Sequence, residues 1–253
     1  MQALTIAKYS LKKASRDKVF YLVPLVTIVA LALLQNLRFF DVGVRTKVLK
    51  DFGLAAVGLF GFFIALVTTI SLVPFEKEQR TAMFVFSKPV PRYAFVLGKF
   101  LCVSFLITLN LAVVGGELAG LVRIYAGSWD PNLFRGLYLI WLKLNVFAAF
   151  LILTCTLLSL ILTMFAAVLG YAVMHAAGLA EASLTAGTPP LFQRAMHVLL
   201  SVIPDLTHFD ASYAMVHGYD IPAWYMGLLT AYAGVYVLAL LLVTTWVVDV
   251  TDL

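Results

Sequence analysis

The residues able to do chemistry in this chain are few and clustered. The densest group is EKEQRTAMFVFSKPVPRYAFVLGK, residues 76 to 99, where Glu76, Lys77, Glu78, Arg80, Lys88, Arg92 and Lys99 interrupt an otherwise apolar chain. Charge at that density does not belong in hydrocarbon, so the stretch lies in water or at lipid headgroups. Glu76 and Glu78 suit the first turn of a short helix, whose dipole favours negative charge. Pro89 and Pro91 then hold Lys88 and Val90 extended, because the residue before proline avoids the helical region. A short, structured, charged element between two apolar runs is a handle for a soluble partner.

The remaining candidates are thinner. His197, His208 and His217 share the stretch 181 to 222 with Asp205, Asp210 and Asp220, while His175 lies in an apolar run. Their spacings match no standard metal-ligand pattern, and no metal is expected. Glu117, in GGELAG, is an intramembrane carboxylate and so a functional candidate by default. Its place near the end of an apolar run points instead to hydration or to pairing with Arg123. Gly116 and Gly120 form a GxxxG spacing that permits close helix packing, although in an apolar run rich in small residues that spacing often arises by chance. No phosphate-binding loop is present: Gly98-Lys99 is followed by Phe100, and Tyr93 stands where the earlier glycine belongs. No Ser-His-Asp or Cys-His arrangement can be argued from order alone. Thr68, Thr69, Ser71, Thr154, Thr156, Ser159 and Thr163 are expected to satisfy backbone groups or mediate packing. No catalytic residue is expected, and no soluble stretch is large enough for a nucleotide-hydrolysing domain.

The elements that must position these groups follow from composition. The 253 residues are 62% hydrophobic and 12% charged, against about 25% charged in soluble domains. With a mean hydropathy of +0.98, the chain reads as an all-α polytopic membrane protein forming one transmembrane domain over residues 1–253. Cys102 and Cys155 both fall in apolar runs, so packing is expected and a disulfide is not. The net charge of +5 reflects the positional bias of Lys and Arg in membrane proteins rather than binding to nucleic acid. The lysines of MQALTIAKYSLKKASRDK come too late and too densely for a cleavable signal peptide.

Residues 2–18 place Leu4, Ala7, Leu11 and Ala14 at helical spacing beside the basic Lys8, Lys12, Lys13 and Arg16. That pattern predicts an interfacial helix on an anionic leaflet, with a solvated leader helix as the alternative. Six spans follow, at about 19–37, 52–75, 93–122, 136–157, 160–180 and 223–248, with 76–92 between the second and third. The run from Gly136 to Ala180 carries Lys143 as its single charge and is too long for one span, so a tight turn is expected between Thr154 and Thr163. Residues 181–222 form an outer loop whose LFQRAMHVLLSVI patch is too short to cross and is expected to lie on or dip into the membrane. Six spans put both termini on one side, and the dense basic first segment places that side in the cytoplasm.

The stretch at 74–100 resembles the permease subunits of type-2 ATP-binding-cassette exporters. The matching residues are Pro74, Glu76, Glu78, Arg80-Thr81, Ser87-Lys88-Pro89-Val90, Arg92 and Phe95 through Gly98-Lys99-Phe100. The resemblance extends to the basic first helix, the six-span layout and IPDLTHFD at 203–210, and within the family it points to the multicopper-enzyme-maturation permeases, with no inference of copper. It implies a homodimer or pseudo-dimer of six-span subunits in the bacterial inner membrane, with each subunit docked on a cytoplasmic ATPase (two copies in all). ATP and magnesium would be held by that ATPase, and no cofactor by this chain. Residues 76–92 would be the coupling helix, with Glu76, Glu78, Arg80, Thr81, Phe84, Ser87, Lys88, Pro89 and Arg92 at the ATPase, and Leu191 to Ile203 would be an outer-leaflet helix. The expected function is export of an unspecified substrate. The alternative is a scaffold or assembly factor that docks a different soluble partner through the same element. A proton- or ion-coupled carrier needs charged groups near the bilayer midplane, and the sequence offers no obvious set.

Overall fold

Long apolar runs have to bury their backbone polar groups within each segment, and in lipid the helix is the solution open to a single chain segment. The computed structural model describes residues 2–14, 18–34, 42–72, 91–183, 203–210 and 220–250. Among the described residues the regular structure is entirely helical: α1 (Gln2–Ala14), α2 (Lys18–Leu34), α3 (Val42–Leu72), α4 (Arg92–Ala126), α5 (Pro131–Leu157), α6 (Leu160–Ser183) and α7 (Ala223–Val250), with a single 3-10 turn at Thr207–Phe209.

Five of these, α3 to α7, are long and apolar enough to cross a membrane, which fits a multi-pass membrane protein. Where the first span was expected, the described residues form α2, which contains Pro24. The second span starts earlier than its hydropathy suggests. Helix α3 is already formed at Val42 and runs 31 residues, about 46 Å at 1.5 Å per residue. That exceeds a hydrocarbon core of about 30 Å, so its basic first turns, with Lys47 and Lys50, extend past the apolar zone. Helices α5 and α6 are separated only by Leu158 and Ser159.

Helix α5 is the axis of the bundle, packed by α3, α4, α6 and α7. Leu144, Val146, Phe147, Ala148, Ala149 and Leu151 are all fully enclosed. Close approach depends on glycine at Gly61, where an added Cβ would lie 2.4 Å from Leu144 Cδ1. The GxxxG pair at Gly116 and Gly120 does not serve this purpose, since both face open space. Leu22, Leu25 and Val29 on α2, Phe165 and Leu169 on α6, and Leu238 and Leu242 on α7 point outward as an apolar surface. That inversion is expected where the solvent is lipid.

The ends of the bundle are tied by polar contacts. At the end where α4 gives way to α5, Gly127 takes a left-handed conformation (φ +74°) and donates its N–H to Arg123 O, closing α4. Asp130 then caps α5 by accepting the Asn132 N–H at 3.0 Å, with Pro131 opening the helix. Its carboxylate also pairs with Lys50 of α3. Asn132 donates to Asp220 Oδ1 at 2.8 Å and Arg135 donates to Ile221 O at 3.0 Å, which fixes the entry to α7.

Partial burial pushes the Asp130 carboxyl up, but the Lys50 ammonium and the backbone N–H groups of Asn132 and Leu133 outweigh it and hold it below its ordinary value of 3.8. A carboxylate depressed in the folded state stabilises the fold above its unfolded value and loses that contribution as pH falls through its folded one. Asp130→Asn keeps a capping side chain and removes the charge. It is expected to lower stability at pH 7 by no more than about 1 kcal/mol, as for a partly exposed pair. Thermal melts should show the gap to wild type closing as the pH drops below 3.8.

Candidate functional site

At the opposite end of the bundle, α3 stops and α4 starts on either side of the charged hub. Lys99 lies one to two turns inside α4, is 2% exposed, and donates from Nζ to the Leu72 carbonyl at 3.1 Å. Leu72 is the last described residue of α3, so this contact joins the buried cation of α4 to a backbone carbonyl of α3. The ammonium also lies 5.3 Å from the Phe95 ring centroid. The result is a clamp between the two helices that flank residues 73–90.

Arg92 opens α4 and reaches α7. Its Nη1 donates to Val248 O at 3.2 Å and to Asp249 O, and pairs with Asp249 Oδ1 at 3.3 Å. Arg92 is the one member of the expected docking set within the described residues. Glu76, Glu78, Arg80, Thr81, Phe84, Ser87, Lys88 and Pro89 lie outside them, as does the apolar patch up to residue 202. Helix α1 packs on α4 at this same end. Lys8 and Lys12 are exposed and Lys13 partly so, while Arg16 is outside the described residues. Of the expected apolar stripe, Ala7, Leu11 and Ala14 face the protein core, whereas Leu4 is exposed. The stripe therefore has protein as its main partner.

A second polar site lies inside the bundle, and sequence reasoning did not assemble it. Lys143 sits 12 residues into α5, about 18 Å along the helix axis, and is 5% exposed. Its Nζ donates to Asp210 Oδ1 at 2.8 Å. The other oxygen of the same carboxylate lies 3.0 Å from His175 Nε2 on α6. Tyr171, one turn before His175, stacks on the imidazole with centroids 5.4 Å apart. The Lys143 ammonium stands 5.8 Å from the Tyr171 ring centroid. One carboxylate thus bridges a lysine and a histidine on neighbouring spans, against an aromatic wall completed by Phe62 and Phe147.

Asp210 is delivered by the stretch Ile203–Asp210, which is not itself a span. The Leu206 N–H donates to Met174 O of α6 at 3.0 Å, and the Asp205 N–H donates to Tyr232 Oη of α7 at 2.9 Å. Asp205 Oδ1 accepts from the Thr207 N–H at 2.8 Å and from its hydroxyl at 2.7 Å, shaping the 3-10 turn. Leu206 and Phe209 plug into the core with no exposure. Gly178 makes the approach possible, since a Cβ there would lie 2.7 Å from both Asp205 Oδ2 and Thr207 Oγ1.

The other candidates separate cleanly. Arg123 lies over the Trp129 ring at 4.6 Å, and Glu117 Oε2 is buried with no hydrogen-bond partner among the described residues. His208 is 3.7 Å from Asp205 Oδ2, and His197 and His217 lie outside the described residues. Among the described residues no group of three or more His, Cys, Asp or Glu side chains is placed to hold a metal. Thr69, Ser71, Thr154 and Thr156 donate to carbonyls of their own helices. Cys102 and Cys155 are both buried free thiols.

The signal that could have found the inner cluster was Lys143 itself. A lone lysine deep in an apolar run needs a counter-charge, and Asp210 was the partner to look for. A scan of the chain against protein-family models finds no match, and a search of curated proteins finds none either.

Proposed function

We propose that the protein is the permease subunit of an ATP-driven exporter of the type-2 ATP-binding-cassette class, working as a dimer with two copies of a separate cytoplasmic ATPase that holds ATP and magnesium. In this reading the segment between α3 and α4 is the docking element, both termini face the cytoplasm, and the membrane is a bacterial inner membrane. The observation that carries it is the pair of contacts that hold the first two turns of α4. Lys99 ties the start of α4 to the end of α3, and Arg92 ties it to the end of α7. A load that reaches the start of α4 therefore passes into three helices at once. That is the mechanical requirement for a lever outside the membrane to bias two arrangements of packed helices.

The test is purification from the native host in mild detergent with identification of bound partners. An ATPase should co-purify at equal stoichiometry, and combining Glu78→Lys with Arg80→Glu should release it while membrane insertion is retained. Lys99→Met should keep the ATPase bound but lower ATP hydrolysis by the complex in lipid, because docking survives and the clamp does not. Isolation with a different soluble partner through the same element would favour the scaffold reading. Association that survives hub disruption would move the docking site elsewhere.

A further inference from the structure

The counter-charge to the buried Lys143 does not come from a span. It comes from the short stretch Ile203–Asp210, which lies against α6 and α7 through three hydrogen bonds, Leu206 N–H to Met174 O, Asp205 N–H to Tyr232 Oη and the Tyr225 hydroxyl to His208 O. Beyond those bonds, among the described residues the stretch is held by apolar contacts of Ile203, Leu206 and Phe209 and by the carboxylate of Asp210 between Lys143 and His175. The spans around it are continuous helices that cannot yield locally without breaking many bonds at once. The stretch can.

We infer that Lys143, His175 and Asp210 form an intramembrane latch that holds residues 203–210 as a plug against α5 and α6, and that this plug opens locally while the spans stay folded. Lys143 supplies a fixed cation on the most enclosed helix, and His175 supplies a second donor that grips the other carboxylate oxygen. Shutting the plug neutralises a charge that hydrocarbon would otherwise disfavour. Opening it exposes Lys143, so the open state must let water or another anion reach the ammonium. The inference does not depend on which soluble partner binds the hub.

The first experiment uses the unmutated protein in lipid. Amide hydrogen exchange should show Leu206 and Phe209 exchanging through local opening, faster than the amides of Leu144 to Leu151 in α5. Exchange of both groups at one common rate would overturn the latch. The second places a reporter thiol at Met174, which is 3% exposed beneath the plug. In a Met174→Cys protein with Cys102→Ala and Cys155→Ala, a membrane-impermeant maleimide should react slowly. Adding Asp210→Asn should speed labelling by on the order of tenfold or more, as expected for loss of one partner of a buried pair. His175→Gln should give a smaller rise, and Asp210→Glu should stay near the parent rate. Labelling unchanged by Asp210→Asn would overturn the proposal.

Discussion

Asp210→Ala is expected to lower the unfolding free energy by about 3 kcal/mol or more, whereas Lys143→Met should cost far less. The asymmetry follows from burial. Removing the carboxylate strands an ammonium whose side chain is 6% exposed, and a buried charge left without its partner is costly. Removing the lysine leaves a carboxylate that is 43% exposed and still has His175 Nε2 at 3.0 Å. Methionine also fills the lysine volume with an apolar chain, and exchanging buried ions for well-packed apolar groups is often neutral. The double variant Lys143→Met with Asp210→Ala should therefore resemble Lys143→Met alone. Denaturant titration in bicelles gives all four stabilities. Equal losses for the two single variants, adding in the double, would show that the pair contributes no coupling.

Phe147→Ala carries the second large effect, about 2–4 kcal/mol. The side chain has no exposure, and its ring centroid is 5.1 Å from both Phe62 and Tyr171. In a water-soluble core such a truncation costs about 3–5 kcal/mol, as lost transfer energy plus a cavity. Lipid tails are as apolar as the core, so here the transfer part is small and the lost contacts and cavity dominate. Phe165→Ala is the internal control: Phe165 is 65% exposed on the outward face of α6 and should lose little. If the two variants melt alike, packing around α5 is not what holds the bundle. Because Tyr171 leans on Phe147 and also flanks Lys143, Phe147→Ala should weaken the ion-pair cluster as well.

How much of this was legible in advance depends on the range of the interaction. Helix existence and type could be read from apolar runs, because a run that must satisfy its own backbone in lipid becomes a helix wherever it sits. Boundaries were read less well where charge and helix coexist. Lys47, Lys50 and Asp51 look like loop residues, yet they lie on the first turns of α3, where Lys50 pairs with Asp130 beyond the apolar zone. Hydropathy marks where lipid ends, not where a helix ends. The GxxxG spacing at Gly116 and Gly120 was a poor guide for a related reason: it describes one helix, and close packing is decided by the partner, which meets α4 at Gly115 through Leu137.

Composition alone marks this as a helical chain for a membrane, with a charged element between two apolar runs. Those properties are set by local composition and by the cost of polar groups in hydrocarbon. Which polar residues meet is set by the packing of the helices. Lys143 and Asp210 are 67 residues apart in the chain and share one ion pair. Lys99 and Leu72 are 27 apart and join α4 to α3. Such pairings leave no periodicity to read, since each depends on the rotation and depth at which separate helices pack.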